Sequence, residues 1–160
     1  MLSVTLLCVG KMKEPHYIAA FTEYQKRLGA YCRFTLTEIA EQRAPADPPS
    51  AQIAAALDRE AEALEKAIPP GAYVVALCVE GRQMSSPALA KALADWQSAG
   101  RSRVCFVVGG SFGLSGRVKQ RADLRLSMSE MTFPHHLFRV MLAEQVYRAL
   151  NLAAGGKYHK

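Results

Sequence analysis

The strongest constraint on the fold is a set of short apolar runs with no polar face. Residues 2–9, 72–79 and 103–108 read L-S-V-T-L-L-C-V, A-Y-V-V-A-L-C-V and R-V-C-F-V-V. Strands this apolar on both sides belong inside a sheet covered on both faces, and parallel sheets are built that way. The segments between them have helical spacing. Tyr17, Ile18, Phe21, Tyr24 and Leu28 recur at three and four residues after Pro15. Ile53, Leu57, Ala61, Leu64 and Ile68 mark a second helix behind Ser50, a candidate cap. A third, with Leu89, Leu93 and Trp96, follows the candidate caps Ser85 and Ser86. Residues 33–39 alternate Phe34, Leu36 and Glu38 against Thr35, Thr37 and Ile39, which predicts another strand. Residues 80–84 read as a polar loop, a short helix is expected from Ser115, and residues 124–126 make a last short strand. The expected fold class is α/β, a mainly parallel sheet covered by helices. No repeat and no long linker divides the chain, so residues 1–160 are expected to form a single domain.

Composition narrows the function. No apolar run approaches the ~20 residues needed to cross a bilayer, and residues 1–9 lack the basic leader and cleavage site of a signal peptide. Twenty Lys and Arg against 14 Asp and Glu give a net charge of +6. A basic surface favours anionic partners, nucleic acid above all, although a merely solvated surface is the plain alternative. The cysteines Cys8, Cys32, Cys78 and Cys105 form no C-x-x-C pair and no zinc spacing. A reduced, cytoplasmic setting fits them. His135, His136 and His159 make no metal-ligand pattern, and no metal is expected.

Two stretches carry chemistry. Gly109-Gly110-Ser111-Phe112-Gly113 follows a strand, where open α/β sheets place their ligands. It is neither a dinucleotide fingerprint nor a P-loop, and locally a tight turn explains it. The second stretch runs from Ser127 to Lys160. A polar segment leads to Pro134 and a helix from His135 to about Ala153; Gly155 and Gly156 follow as a flexible hinge, then Lys157, Tyr158, His159 and Lys160. At 100° per residue, His135 and Arg139 share one side of this helix, with Glu144, Arg148 and Asn151 roughly opposite. Leu142, Val146 and Leu150, and also Leu137, Met141 and Leu152, fill the sectors between. Such a helix is expected to be buried on more than one side.

The pattern S-x-S-x-M-T-x-P-H-x-L-x-R-x-x-L-x-E-Q-x-Y-R-A, followed by G-x-x-Y-H-K, resembles the RlmH family. These are small SPOUT (trefoil-knot) methyltransferases that modify N3 of a pseudouridine in 23S ribosomal RNA. The resemblance covers the whole chain, from Val9-Gly10-Lys11 and Tyr24-x-x-Arg27-Leu28 to the tail. It implies a C-terminal trefoil knot, which periodicity alone does not suggest. It also implies an S-adenosylmethionine (SAM) site on three loops: Leu77; Gly109; and Met128, Ser129, Glu130, Met131, Thr132 and Phe133. Further implications are a homodimer with its active site at the subunit boundary and the assembled ribosome as substrate. The catalytic candidates are His159, Tyr158 and Arg139. His159 is the first choice for assisting loss of the N3 proton, in its own or the partner's pocket. RNA-binding candidates are His135, Arg148, Lys157 and Lys160. For Arg139 and Arg148 the simpler reading is an ion pair within the protein. Two alternative functions stand beside this one: a non-catalytic ribosome-binding or assembly protein, and a methyltransferase acting on another RNA such as tRNA. An interface along the 135–153 helix is expected to use Leu142 and Val146.

Overall fold

The computed structural model describes residues 1–160. The elements alternate as expected: β1 (Ser3–Val9), α1 (Pro15–Leu28), β2 (Arg33–Ile39), α2 (Ser50–Ala67), β3 (Tyr73–Gln83), α3 (Ser86–Ser98), β4 (Arg103–Val108), α4 (Gly116–Arg121), β5 (Leu124–Ser127) and α5 (His135–Ala153). The strands form one five-stranded sheet in the order β2-β1-β4-β3-β5, and every pairing is parallel. The apolar runs are explained by this arrangement. Leu6, Cys8, Val75, Leu77, Val104, Phe106 and Val108 pack with α1, α3 and α5 on one face. Leu7, Val9, Val74, Ala76, Cys105 and Val107 pack with α2 and α4 on the other. Each fully buried Leu, Val or Phe contributes roughly 1.5–3 kcal/mol by leaving water.

Two local expectations need correction. Residues 80–84 are not a loop: β3 continues to Gln83. Beyond Leu77 it shifts register and pairs again with β5 through Arg82 and Leu126. Gly81 allows this, since a Cβ there lies 2.8 Å from the backbone of Arg125 and Leu126. Ser50 is not a cap either. Pro49 holds that position, with no side-chain cap bond. Ser85 does cap α3, its hydroxyl accepting from the Ala88 N–H at 3.2 Å.

Helix α5 packs against both α1 and α3. Its inward side carries Arg139, Leu142, Ala143, Val146, Ala149 and Leu150. Leu142 and Val146 are fully buried in the chain's own core, so the expectation that they meet a partner subunit is overturned. Leu137, Met141 and Leu152 remain half-buried on the outward side.

Gly155 and Gly156 are not a free hinge. Gly155 has φ +78°, and the Gly155 and Gly156 N–H groups donate to the Leu152 and Asn151 carbonyls at 3.0 and 2.8 Å. A Cβ on Gly156 overlaps the Asn151 side chain. The pair forms a packed helix stop, and positive φ is why glycine serves there. All four cysteines are free. No helix is long and apolar enough to cross a membrane.

Candidate functional site

A cavity of about 210 Å³ opens beyond the carboxyl ends of β3, β4 and β5. Its first wall is Leu77 and the following strand residues to Glu80; its second is Val108, Gly109, Gly113 and Leu114. The third is Ser127, Met128, Ser129, Met131, Thr132 and Phe133, closed by His135 and Phe138 of α5. Seven of the eight residues expected on the three loops therefore line one cavity. Glu130 does not, and its exposed side chain points elsewhere. The third wall is held by its own serines. Ser127 Oγ donates to the Ser129 carbonyl at 3.1 Å, and the Met131 N–H donates to Ser129 Oγ at 3.0 Å.

Gly109 is required for a reason internal to the protein. A Cβ there overlaps the backbone of Gly113, which forms an isolated bridge with Gly110. Substitution at Gly109 therefore reports on the turn as well as on any ligand beside it. The cavity combines apolar side chains with loop backbone, the mixture that binds a small ligand with an apolar face and a polar edge. Met131 and Val79 leave large apolar surfaces in solvent, 73% and 51% exposed.

Sequence reasoning missed Phe138, one helical turn from His135, and Lys119, which reaches the cavity from α4 and pairs with Glu80 at 2.5 Å. Phe138 could have been found from its i, i+3 relation to His135. The Lys119–Glu80 pair joins residues 39 apart and has no local signal. His135 and His136 stack edge-on, ring centroids 4.3 Å apart. Burial, and then its neighbour His136, hold His135 below the usual imidazole range, so it is neutral near pH 7.

The polar residues farther along α5 lie elsewhere. Arg139 does not face the cavity, which corrects its expected contact with substrate or cofactor. Its side chain has no exposure. Nη1 donates to Glu38 at 2.9 Å, and Nη2 donates to the Val9 and Gly10 carbonyls at 2.6 and 2.8 Å. Arg148 pairs with Glu144 within the helix. Its guanidinium also lies 4.6 Å from the Tyr158 ring centroid.

The tail is docked on α5, away from the cavity. Tyr158 Oη donates to Glu144 at 3.0 Å, and the Tyr158 N–H donates to Asn151 Oδ1 at 3.2 Å. Burial first, and then hydrogen bonds with Tyr24 and Glu144, push Tyr158 up to about 12, so it keeps its proton. Arg148 Nη1 lies 3.3 Å from His159 Nδ1. A guanidinium only donates, so Nδ1 accepts and the proton of a neutral ring sits on Nε2. Lys157 and Lys160 are exposed. Glu144 is roughly 13 Å along the helix from His135 and about 180° around it. The docked tail therefore does not cover its own chain's cavity. No group of three or more His, Cys, Asp or Glu could hold a metal ion.

A family model described as "Predicted SPOUT methyltransferase" matches residues 2–159. "Ribosomal RNA large subunit methyltransferase H" of Bacillus pumilus is 42% identical over 159 residues, covering 99% of this chain and all of that protein. The protein of the same name from Desulfitobacterium hafniense (strain Y51) is 42% identical over the full length of both. Among solved structures, a probable methyltransferase from Bordetella pertussis superposes with a TM-score of 0.59 at 18% identity, over 92% of this chain and 95% of that one. The tRNA (m1G37) methyltransferase of Aquifex aeolicus gives 0.54 at 19% identity, over 99% and 74%.

Proposed function

The chain belongs to the SPOUT methyltransferase family, among the large-subunit ribosomal RNA methyltransferases H, and from that premise we propose that it methylates N3 of a pseudouridine in 23S ribosomal RNA using SAM. The observation that carries this reading is the coincidence of the three expected loops on one cavity at the carboxyl ends of the strands. The donor set suits SAM. Leu77, Met128, Met131 and Phe133 offer apolar contact to an adenine face, and the loop backbone at Gly109 and around Ser129 and Thr132 offers hydrogen bonds to its edge. Bound there, SAM supplies a methyl group already activated by its sulfonium.

The protein's task is then to position the acceptor and to take a proton from N3. His135, neutral in the cavity wall, can accept that proton. His159 can do so only after leaving Arg148, because its docked ring presents Nε2–H as a donor. The family's knot, formed by the chain after β5, belongs to the same reading, as do a single-domain organisation and action on assembled ribosomes in the cytoplasm. Incubation with tritiated SAM is expected to label 23S RNA in ribosomes at one pseudouridine and to leave tRNA unlabelled. Label in tRNA would move the chain to the other RNA class, and label in neither would favour a non-catalytic ribosome-binding role.

The tail's position on the far side of α5 supports a homodimer in which one subunit's tail serves the other's cavity. The contact surface we assign is the outward stripe of Leu137, Met141 and Leu152, in place of Leu142 and Val146. Met141→Asp sets a charge in that apolar contact, at a cost of several kcal/mol. Sedimentation is expected to show a dimer for the wild type and at least about a hundredfold weaker association for the variant. A wild-type protein monomeric at micromolar concentration excludes the composite site.

A further inference from the structure

A second, larger cleft of about 620 Å³ lies beyond the carboxyl ends of β1 and β2. The turn from Gly109 to Gly113 separates it from the first cavity, and the start of α5 spans both. His135 lines the first and His136 the second. Lys11, Lys13 and Arg43 stand exposed on its wall, and none of them takes part in an ion pair.

The carboxylates nearby are already engaged. Glu41 accepts from the Ser111 N–H and Oγ at 3.2 and 3.0 Å. Glu14 lies 2.6 Å from His136 Nδ1, and that hydrogen bond lowers Glu14 to about 2. Glu41 keeps its charge when it accepts from neutral groups, so the three cations on the cleft outnumber the one carboxylate that lines it. Phe112, at the tip of the dividing turn, is 43% exposed on the same cleft. The floor is rigid, because Arg139 clamps the Val9 and Gly10 carbonyls next to Lys11. Unpaired cations around an exposed aromatic ring are what single-stranded nucleic acid requires: phosphates meet the cations and a base stacks on the ring.

We infer that this cleft is the track for single-stranded RNA flanking the methylated nucleotide, with Lys11, Lys13 and Arg43 on phosphates and Phe112 stacking a flanking base. The inference rests on the methyltransferase reading for its substrate, but its geometry is independent of the cofactor. A duplex is a poorer fit, because its bases are already stacked and cannot use Phe112.

Lys11→Ala/Lys13→Ala and Phe112→Ala are the test variants. Lys26→Ala/Arg33→Ala, which removes two exposed cations away from the cleft, one in the last turn of α1 and one at the start of β2, is the control. Two readouts are taken: KM for ribosomes in the tritium assay, and fluorescence anisotropy with a labelled single-stranded RNA of mixed sequence across a salt series. The Lys11/Lys13 variant is expected to weaken both by about tenfold and to reduce the slope of log K against log salt by between one and two. Phe112→Ala is expected to cost about tenfold in anisotropy, with Phe112→Trp restoring wild-type binding. SAM affinity by calorimetry and kcat stay within about twofold throughout. Equal losses in the Lys26/Arg33 control, or wild-type binding by Phe112→Ala, overturn the track. Should the wild type bind RNA through this cleft and yet transfer no methyl, the cleft stands and the enzymatic reading alone fails.

Discussion

Removal of residues 157–160 is expected to lower methyl transfer to ribosomes by about a hundredfold or more, the scale of a lost acid–base or positioning group, while SAM affinity changes by no more than a few-fold. The cofactor walls contain no tail residue, which is why binding survives. The docked tail rests on a few bonds, Tyr158 to Glu144 and Asn151 and the contact of His159 with Arg148, together with Tyr158 against the Tyr147 ring at 4.8 Å. Contacts so few and so near the surface can be exchanged when RNA arrives. Mixing decides whose cavity the tail serves. A truncated subunit and a subunit with its cavity filled by Thr132→Trp are each inactive alone. Co-refolded, they regain about a quarter of wild-type activity if a tail acts in the partner's cavity, following the random pairing of subunits and one working site per mixed dimer. Continued inactivity of the mixture assigns the tail to its own chain, and full activity of the truncated protein would falsify any catalytic role.

Arg139→Met is expected to destabilise the protein by about 3 kcal/mol, near the lower bound for breaking a buried ion pair. The substitution keeps an unbranched apolar stem but removes the guanidinium that donates to Glu38 and to the Val9 and Gly10 carbonyls. The cost stays near that bound because Glu38 is a quarter exposed and still accepts from the Met12 N–H at 2.8 Å. Even so, 3 kcal/mol is a large share of the 5–15 kcal/mol that holds a typical domain. Denaturant unfolding measures it, and a cycle with Glu38→Gln isolates the pair. Arg139→Lys cannot reproduce the forked contact and is expected to recover only part of the loss. A lysine variant with wild-type stability and no activity would return Arg139 to the reacting groups.

Much of this was legible in the sequence. The two-sided apolar runs required a covered parallel sheet, because a strand with no polar face has no stable place at a surface. Periodicity and the proline and glycine signals set most element bounds, including α5 from His135 to Ala153. The family resemblance implied the three loops, and seven of their eight residues meet at one cavity. What the sequence left undecided were the contacts between distant residues. Arg139 is held by a carboxylate 101 positions away. Strand β3 runs on to Gln83 because Gly81 meets the backbone of β5, not because of any local preference. Leu142 and Val146 were expected at a subunit interface, but α1 and α3 bury them in the chain's own core. The tail's place on the far side of α5, and the gathering of Lys11, Lys13, Arg43 and Phe112 around one cleft, belong to the same class. The physical reason is common to all of them. Periodicity records whether a side chain is buried within its own element, whereas the choice of partner is set by which surfaces the packed sheet brings within hydrogen-bonding or van der Waals reach.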